Sequence, residues 1–375
     1  MDRSHGYKKS LIFYLVLVLT LYLTSKASAG ERGGFHIVAK DIDVADLEAL
    51  TGEYLPSVKL NGKISLEAEI KFDTDIVNTH GNFSSPGISF RRDDSFSPIE
   101  SSELKGNFKA IFGTHSQNIE GTIKTQRVEW AKASFEDILF DYILAGKKLT
   151  VKKGEGKIAD GSMVLNGRMN FEGERPTFTY RLTTKGINIQ KIVNQLGSNQ
   201  SFSGLLFLEN SLSGRMGNPT TYSGRAKVKI EGGDLGKIPI IGRLITFLPL
   251  VAIPEVFSFT TLEGDFDISG GYARTGNLKL KGPGVMILAK GEVGWNRKLN
   301  FILSFYVSSE LLKGSPFTRV LGVIIDDFGN ALRRVRVSGT IDKPRFVIVP
   351  LAIGDVITDS LKKSFEGLSP RGTSP

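Results

Sequence analysis

Over residues 63–72 the chain alternates without a break: Ile64, Leu66, Ala68, Ile70 and Phe72 are apolar, while Lys63, Ser65, Glu67, Glu69 and Lys71 are polar. Successive side chains of a strand point to opposite faces, so this pattern makes a strand with one dry and one wet face. The same alternation returns at Phe178, Tyr180 and Leu182, at Ala226, Val228 and Ile230, at the odd positions from Leu299 to Val307, and at Val335 and Val337. A second repeat accompanies it, an apolar residue, a spacer and a glycine: Leu60-Asn61-Gly62, Leu104-Lys105-Gly106, Ile119-Glu120-Gly121, Leu165-Asn166-Gly167, Leu262-Glu263-Gly264 and Val337-Ser338-Gly339. These glycines are expected where one strand ends and the next begins. Short turns are expected at Asn61-Gly62, Asp160-Gly161, Asn166-Gly167 and Gly282-Pro283-Gly284, the chemistry that joins antiparallel neighbours. The fold class that follows is mainly β: a long antiparallel meander with a few short capping helices.

Several segments break the rhythm. Residues 43–50 suit a short helix capped by Asp43, with Val44, Leu47 and Leu50 on one face. Residues 186–195 suit another, with Ile189, Ile192 and Val193 together. The polar, serine-rich residues 87–102 read as an exposed loop. Residues 237–257 are very apolar but hold Pro239, Pro249 and Pro254, which forbid one straight helix. A plug over the sheet core is the expectation. Residues 315–332 suit a capping helix, residues 351–368 an amphipathic helix with Ile353, Ile357, Leu361 and Phe365 four apart, and residues 367–375 a disordered tail.

The N-terminus carries a secretory signal pattern: Arg3, Lys8 and Lys9, an uncharged apolar run at residues 11–23, and Ala27-Ser28-Ala29 as a cleavage site. An uncleaved N-terminal anchor is the competing reading; on both, the remainder crosses a membrane. The chain has 375 residues and no cysteine, which excludes disulfides, thiolate metal sites and a Cys nucleophile. Its net charge of +9 suits a solvated surface. No dense basic run with interleaved aromatics is present, so nucleic acid is not an expected partner.

Catalytic signatures are absent. His5, His36, His80 and His115 lack metal-ligand spacing, and there is no G-x-S-x-G or H-E-x-x-H. Gly154-Glu155-Gly156 and Gly282-Pro283-Gly284 are fragments of a phosphate loop and read as turns. Asp265, Asp267 and Asp326-Asp327 read as solvated charges. A non-enzyme without metal or cofactor is the expectation.

The final third carries a recognisable succession. Glu231-Gly232-Gly233-Asp234-Leu235-Gly236-Lys237-Ile238-Pro239 leads into the apolar segment. Then come Phe259-Thr260-Thr261-Leu262-Glu263-Gly264-Asp265-Phe266-Asp267-Ile268, Lys290-Gly291-Glu292-Val293-Gly294 and Val337-Ser338-Gly339-Thr340-Ile341-Asp342-Lys343-Pro344. This resembles the C-terminal region of the AsmA-like proteins of Gram-negative envelopes. The resemblance covers residues 224–350; residues 30–223 look like the repetitive β region that precedes it, with a signal at 1–29 and a helix and tail at 351–375. It implies a twisted antiparallel sheet folded into an apolar groove, a periplasmic location, and a part in phospholipid transport between inner and outer membranes or in outer-membrane assembly. Phospholipid or another lipid, a membrane surface and envelope proteins are the implied partners. The groove-lining candidates are Ile64, Leu66, Ile70, Phe72, Val228, Ile230, Phe266, Ile268, Leu299, Phe301, Leu303 and Phe305. Two other readings stand beside it, a non-enzymatic envelope scaffold that binds proteins and a secreted carbohydrate-active β protein.

Overall fold

A computed structural model describes residues 33–47, 58–73, 76–92, 98–113, 116–173, 175–197, 202–234, 258–283, 285–307 and 331–349. The first strands are β1 (Gly33–Asp43), β2 (Val58–Asp73), β3 (Ile76–Arg92), β4 (Ile99–Gly113), β5 (Ser116–Trp130) and β6 (Ala133–Ala145). Next come β7 (Lys148–Ile158), β8 (Gly161–Asn170), β9 (Thr177–Asn188), β10 (Leu205–Arg215) and β11 (Asn218–Asp234). The last are β12 (Ser258–Ser269), β13 (Tyr272–Gly282), β14 (Val285–Gly294), β15 (Lys298–Val307), β16 (Ala331–Thr340) and β17 (Pro344–Val349). A single α-helix, α1 (Ile189–Gln195), and a 3-10 turn at Val44–Leu47 complete the described elements.

Each strand pairs antiparallel with the next in sequence, from β1–β2 to β16–β17. The result is one open sheet of 17 strands, whose edges among the described residues are β1 and β17. β11 runs through Gly224 without interruption, so the two regions separated by sequence share a strand.

The alternation keeps its phase across the whole sheet. One cross-strand row runs Ile37, Ala68, Gly81, Phe108, Gly121, Tyr142, Val151, Gly167 and Tyr180. It continues through Leu212, Gly224, Ile268, Ala273, Val293, Leu299, Gly339 and Pro344. Every strand contributes one residue, and none is polar or charged apart from the phenol oxygens of Tyr142 and Tyr180. The adjacent row starts His36, Glu69, His80, Lys109 and Glu120, on the opposite face.

The repeated glycines are not at strand ends. Gly62, Gly106, Gly121, Gly167 and Gly264 lie inside β2, β4, β5, β8 and β12, and Gly339 is the penultimate residue of β16. All six face the dry side and lie close against a neighbouring strand, with the Phe83 ring over Gly106, Leu278 beside Gly264 and backbone atoms against Gly62 and Gly121. A methyl at Gly106 would stand 2.6 Å from Cε1 of Phe83 and 2.6 Å from the Thr122 carbonyl oxygen. Large residues against glycine across a strand pair let bulky rings share one face without collision. Gly62 has a second reason. Its φ of +126° lies where the β2–β3 register shifts between Gly62 and Ser65.

Connections differ between the two rims. At one rim the strands are separated by only a few residues, 74–75, 114–115, 146–147, 216–217, 270–271, 295–297, 341–343 and the somewhat longer 171–176. On the other lie the longer sequence separations 44–57, 189–204, 235–257 and 308–330, within which residues 44–47 form the 3-10 turn and 189–195 form α1. The turn expected at Asp160-Gly161 lies one residue earlier, at Ala159-Asp160, and β13 ends at Gly282 where a turn was expected, but Asn61-Gly62 and Asn166-Gly167 sit within strands. The expected loop at 87–102 is largely strand, because β3 runs to Arg92 and β4 starts at Ile99. Asp43 does cap a turn, its Oδ1 accepting from the Ala45 amide at 2.9 Å, and that turn is 3-10. The expected helix at 315–332 ends differently, since Ala331 and Leu332 open β16. Residues 1–29, the apolar segment 237–257 and the helix and tail at 351–375 lie outside the described residues.

Two stability predictions follow from this packing. Gly106→Ala is expected to cost about 1–3 kcal/mol through overpacking, read from urea midpoints, and Phe83→Leu in the same chain should recover part of that loss. Tyr142 is 5% exposed, its hydroxyl lacks a hydrogen-bond partner, and burial pushes its pKa well above the phenol range. Tyr142→Phe should therefore raise stability by about 1 kcal/mol. A raised folded pKa makes the wild type lose stability as pH climbs past the unfolded tyrosine value near 10, and the variant should lose less over that range.

Candidate functional site

The apolar face is not uniform along the sheet. Over β2–β7 it is packed: Leu104, Ile119 and Leu144 are each 1% exposed, in one cluster with Ile64, Leu66, Phe83 and Phe108. A second cluster joins Ile189 of α1 to Ile230, Phe259, Leu280 and Val285. A third gathers Phe305, Val335 and Val337, with Ile287 touching both the second and the third. Between the first and second clusters lie β8 to β10. There Met163, Leu165, Tyr180, Leu182 and Leu208 are only half-buried, as are Ala226 and Phe266 on the strands that follow. Leu165, Leu182, Asn210, Ala226 and Phe266 are successive cross-strand partners, so this partly open strip is continuous.

Both rims of the strip are marked. α1 stands at the rim with the long connections. Asn188 caps it by accepting from the Lys191 amide at 3.2 Å, and the Lys191 ammonium meets Asp160 at 2.6 Å in the β7–β8 turn. Ile189 is buried, and Val193 packs on the second cluster. At the opposite rim Phe178 stacks on Tyr180 with centroids 5.9 Å apart. Tyr222 meets Phe178 edge-on at 5.4 Å and Trp295 at 5.7 Å, and Trp295 is 52% exposed. Two polar residues lie within the strip, Thr184, whose Oγ1 accepts from the Leu208 amide at 3.1 Å, and Asn210. The Asn210 Oδ1 is buried without a hydrogen-bond partner.

All twelve sequence-predicted residues lie on this one face, but they divide by exposure. Ile64, Leu66, Ile70 and Phe305 are 4% exposed or less and belong to packed core. Ile230 and Ile268 are also buried, whereas Phe72, Val228, Phe266, Leu299, Phe301 and Leu303 are half-buried. The residues that reading the sequence missed are Met163, Leu165, Leu182 and Leu208. The alternation of Met163, Leu165, Gly167 and Met169 was the signal available for the first two.

The opposite face is polar and carries exposed ion pairs such as Arg127–Glu129, Lys153–Glu155 and Arg274–Glu292. Exposed pairs of this kind contribute little to stability. A shallow depression of about 650 Å³ lies on that face, lined by Lys148, Thr150, Arg168, Thr179 and Arg215 among others. Lys279 stands beside Lys281, and burial first, then that like charge, lowers its pKa. Among the described residues no group of three metal-ligating side chains occurs, and no helix is long and apolar enough to cross a membrane.

No family model, curated protein or solved structure matches the chain. The resemblance to AsmA-like proteins rests on the residues quoted above.

Proposed function

We propose that the apolar face is a lipid-binding groove, and that the protein carries phospholipid or another lipid in the periplasm, in transport between the two membranes or in outer-membrane assembly. The observation that carries this reading is the half-buried strip on β8–β10, apolar apart from Asn210 and Thr184 and bounded by packed clusters. An acyl chain asks for continuous apolar surface and few directional contacts. Each methylene removed from water contributes about 0.8 kcal/mol, so a strip of Met, Leu, Val and Phe retains a chain without a catalytic group. The headgroup stays at a rim, where Tyr180, Tyr222 and Trp295 supply rings with one apolar and one polar end. At about 4.8 Å per strand, the 17 strands give an apolar face with a contour of roughly 75–80 Å. The half-buried strip from β8 to β12 takes up roughly 20 Å of that contour, room for one lipid.

Native mass spectrometry of protein purified from the periplasm is expected to show bound lipid. Leu182→Glu places a carboxylate in the strip and should lower uptake of fluorescent phospholipid by about tenfold or more. Arg181→Glu, on the other face of β9, should leave uptake unchanged. Full uptake by Leu182→Glu with native circular dichroism would overturn the groove.

A further inference from the structure

Among the described residues, the outer edge of β1 is a place where backbone groups and apolar side chains are left open together. The phase of the β1–β2 ladder follows from two close approaches. A methyl at Gly34 would stand 2.9 Å from the Ile70 carbonyl oxygen, and one at Gly81 would collide with the Glu67 carbonyl oxygen. Gly34 faces Lys71 and Gly81 faces Ala68. In an antiparallel ladder the carbonyl preceding a partner residue turns toward the facing strand only at a non-hydrogen-bonded pair. Gly34–Lys71 and Gly81–Ala68 are therefore such pairs. Both place the bonds to β2 at Phe35, Ile37 and Ala39. Gly34, His36 and Val38 turn their N–H and C=O groups outward.

The side chains agree with an open edge. Val38 is 55% exposed, and Phe35, on the dry face, is 41% exposed. The far half of β1 is protected. The register shifts between Ala39 and Ile42, Asp41 has φ +53°, and Lys40, Asp41 and Asp43 add charge. Residues 34–38 carry no bulge and no Asp, Glu, Lys or Arg, and the His36 Nε2 lies 3.3 Å from Glu67.

We infer that this half-strand is a self-association edge, and that its occupant is β1 of a second copy of this chain. β1 and β17 run in the same direction, because an even number of antiparallel steps separates them. Pairing β1 with β17 of another copy would be parallel, a geometry this sheet never uses, or would turn the second apolar face to the opposite side. A two-fold axis normal to the sheet pairs β1 with β1 antiparallel and keeps both dry faces on one side. Centred on Ile37, this register sets Phe35 opposite Ala39 of the second copy and Ile37 opposite its own equivalent. On the wet face His36 meets Val38, and Gly34 meets Lys40. Phe35 over Ala39 and Lys40 over Gly34 set large against small, no like charges oppose, and the outward N–H and C=O groups of His36 and Val38 bond to one another. One short strand buries far less than the roughly 800 Å² per partner of a standard interface, so the dimer is weak and concentration-dependent.

The chain has no cysteine, so an introduced thiol reports uniquely. At the two-fold, Ile37 and its equivalent form a non-hydrogen-bonded pair about 4.5 Å apart at Cα, within disulfide range. Full-length Ile37→Cys under diamide is expected to form linked dimers about tenfold faster than Phe35→Cys, whose equivalents lie about four residues out of register, roughly 13 Å apart. Adding Val38→Pro to Ile37→Cys removes only an outward N–H and leaves the ladder to β2 intact, so linking should fall to the Phe35→Cys rate with unchanged circular dichroism. Equal rates for the two thiols, faster linking by Phe35→Cys, or linking that survives Val38→Pro would each overturn the inference. Lipid content of the same samples is read separately, so failure of the edge and failure of the groove give different results.

Discussion

The structure depends on one constraint, that sixteen consecutive strand pairings hold the same side-chain phase. A slip of one residue anywhere would turn a strand's apolar set to the solvent face. The chain keeps phase in two ways. Bulges such as that between Ala39 and Ile42 add a residue on one strand and return the next apolar side chain to the dry side. Glycines let neighbouring strands place rings on the same row, so Phe108 and Tyr142 can flank Gly121 without forcing either strand out of register. The dry row through all strands is the product of both.

Because the sheet is a single layer among the described residues, burial has to come from what stands over each part of the face. The 3-10 turn puts Val44 into the first cluster, and α1 puts Ile189 into the second. The strands between them have less above them, and their side chains remain half-buried. The same alternating sequence thus gives packed core in one stretch and accessible apolar surface in another. The proposed lipid groove is the second of these, and its rims are set by α1 on one side and by the aromatic contacts from Phe178 to Trp295 on the other.

This also explains what could be read from the sequence. Period-two alternation is local, and it marked β2, β9, β11, β15 and β16 correctly. The spacing of Ile189, Ile192 and Val193 signalled α1, and the structure adds Asn188 as its cap. Glycine was misplaced because turns and close ring contacts demand the same residue, and only the neighbouring strand distinguishes them. Residues 87–102 looked like a loop because serine and charge dominate, yet the pairing of Ser89 with Glu100 and Phe90 with Ile99 holds both ends in strands. The candidate site was half legible. The face of every chosen residue was right, since parity decides it. Which of them stay accessible depends on coverage from distant elements, so Ile64 and Phe305 proved to be core and Leu182 was overlooked.

Pairing only between sequence neighbours has a consequence for how such a chain is made and how its size can change. Each strand can dock as soon as it follows its predecessor, so the sheet can grow one strand at a time with no wait for a distant partner. Loss or duplication of a hairpin changes the contour by about two strand spacings, roughly 10 Å, and leaves the phase of all other rows untouched. The reach of the apolar face is therefore adjustable in fixed steps, as on a ruler whose graduations are hairpins.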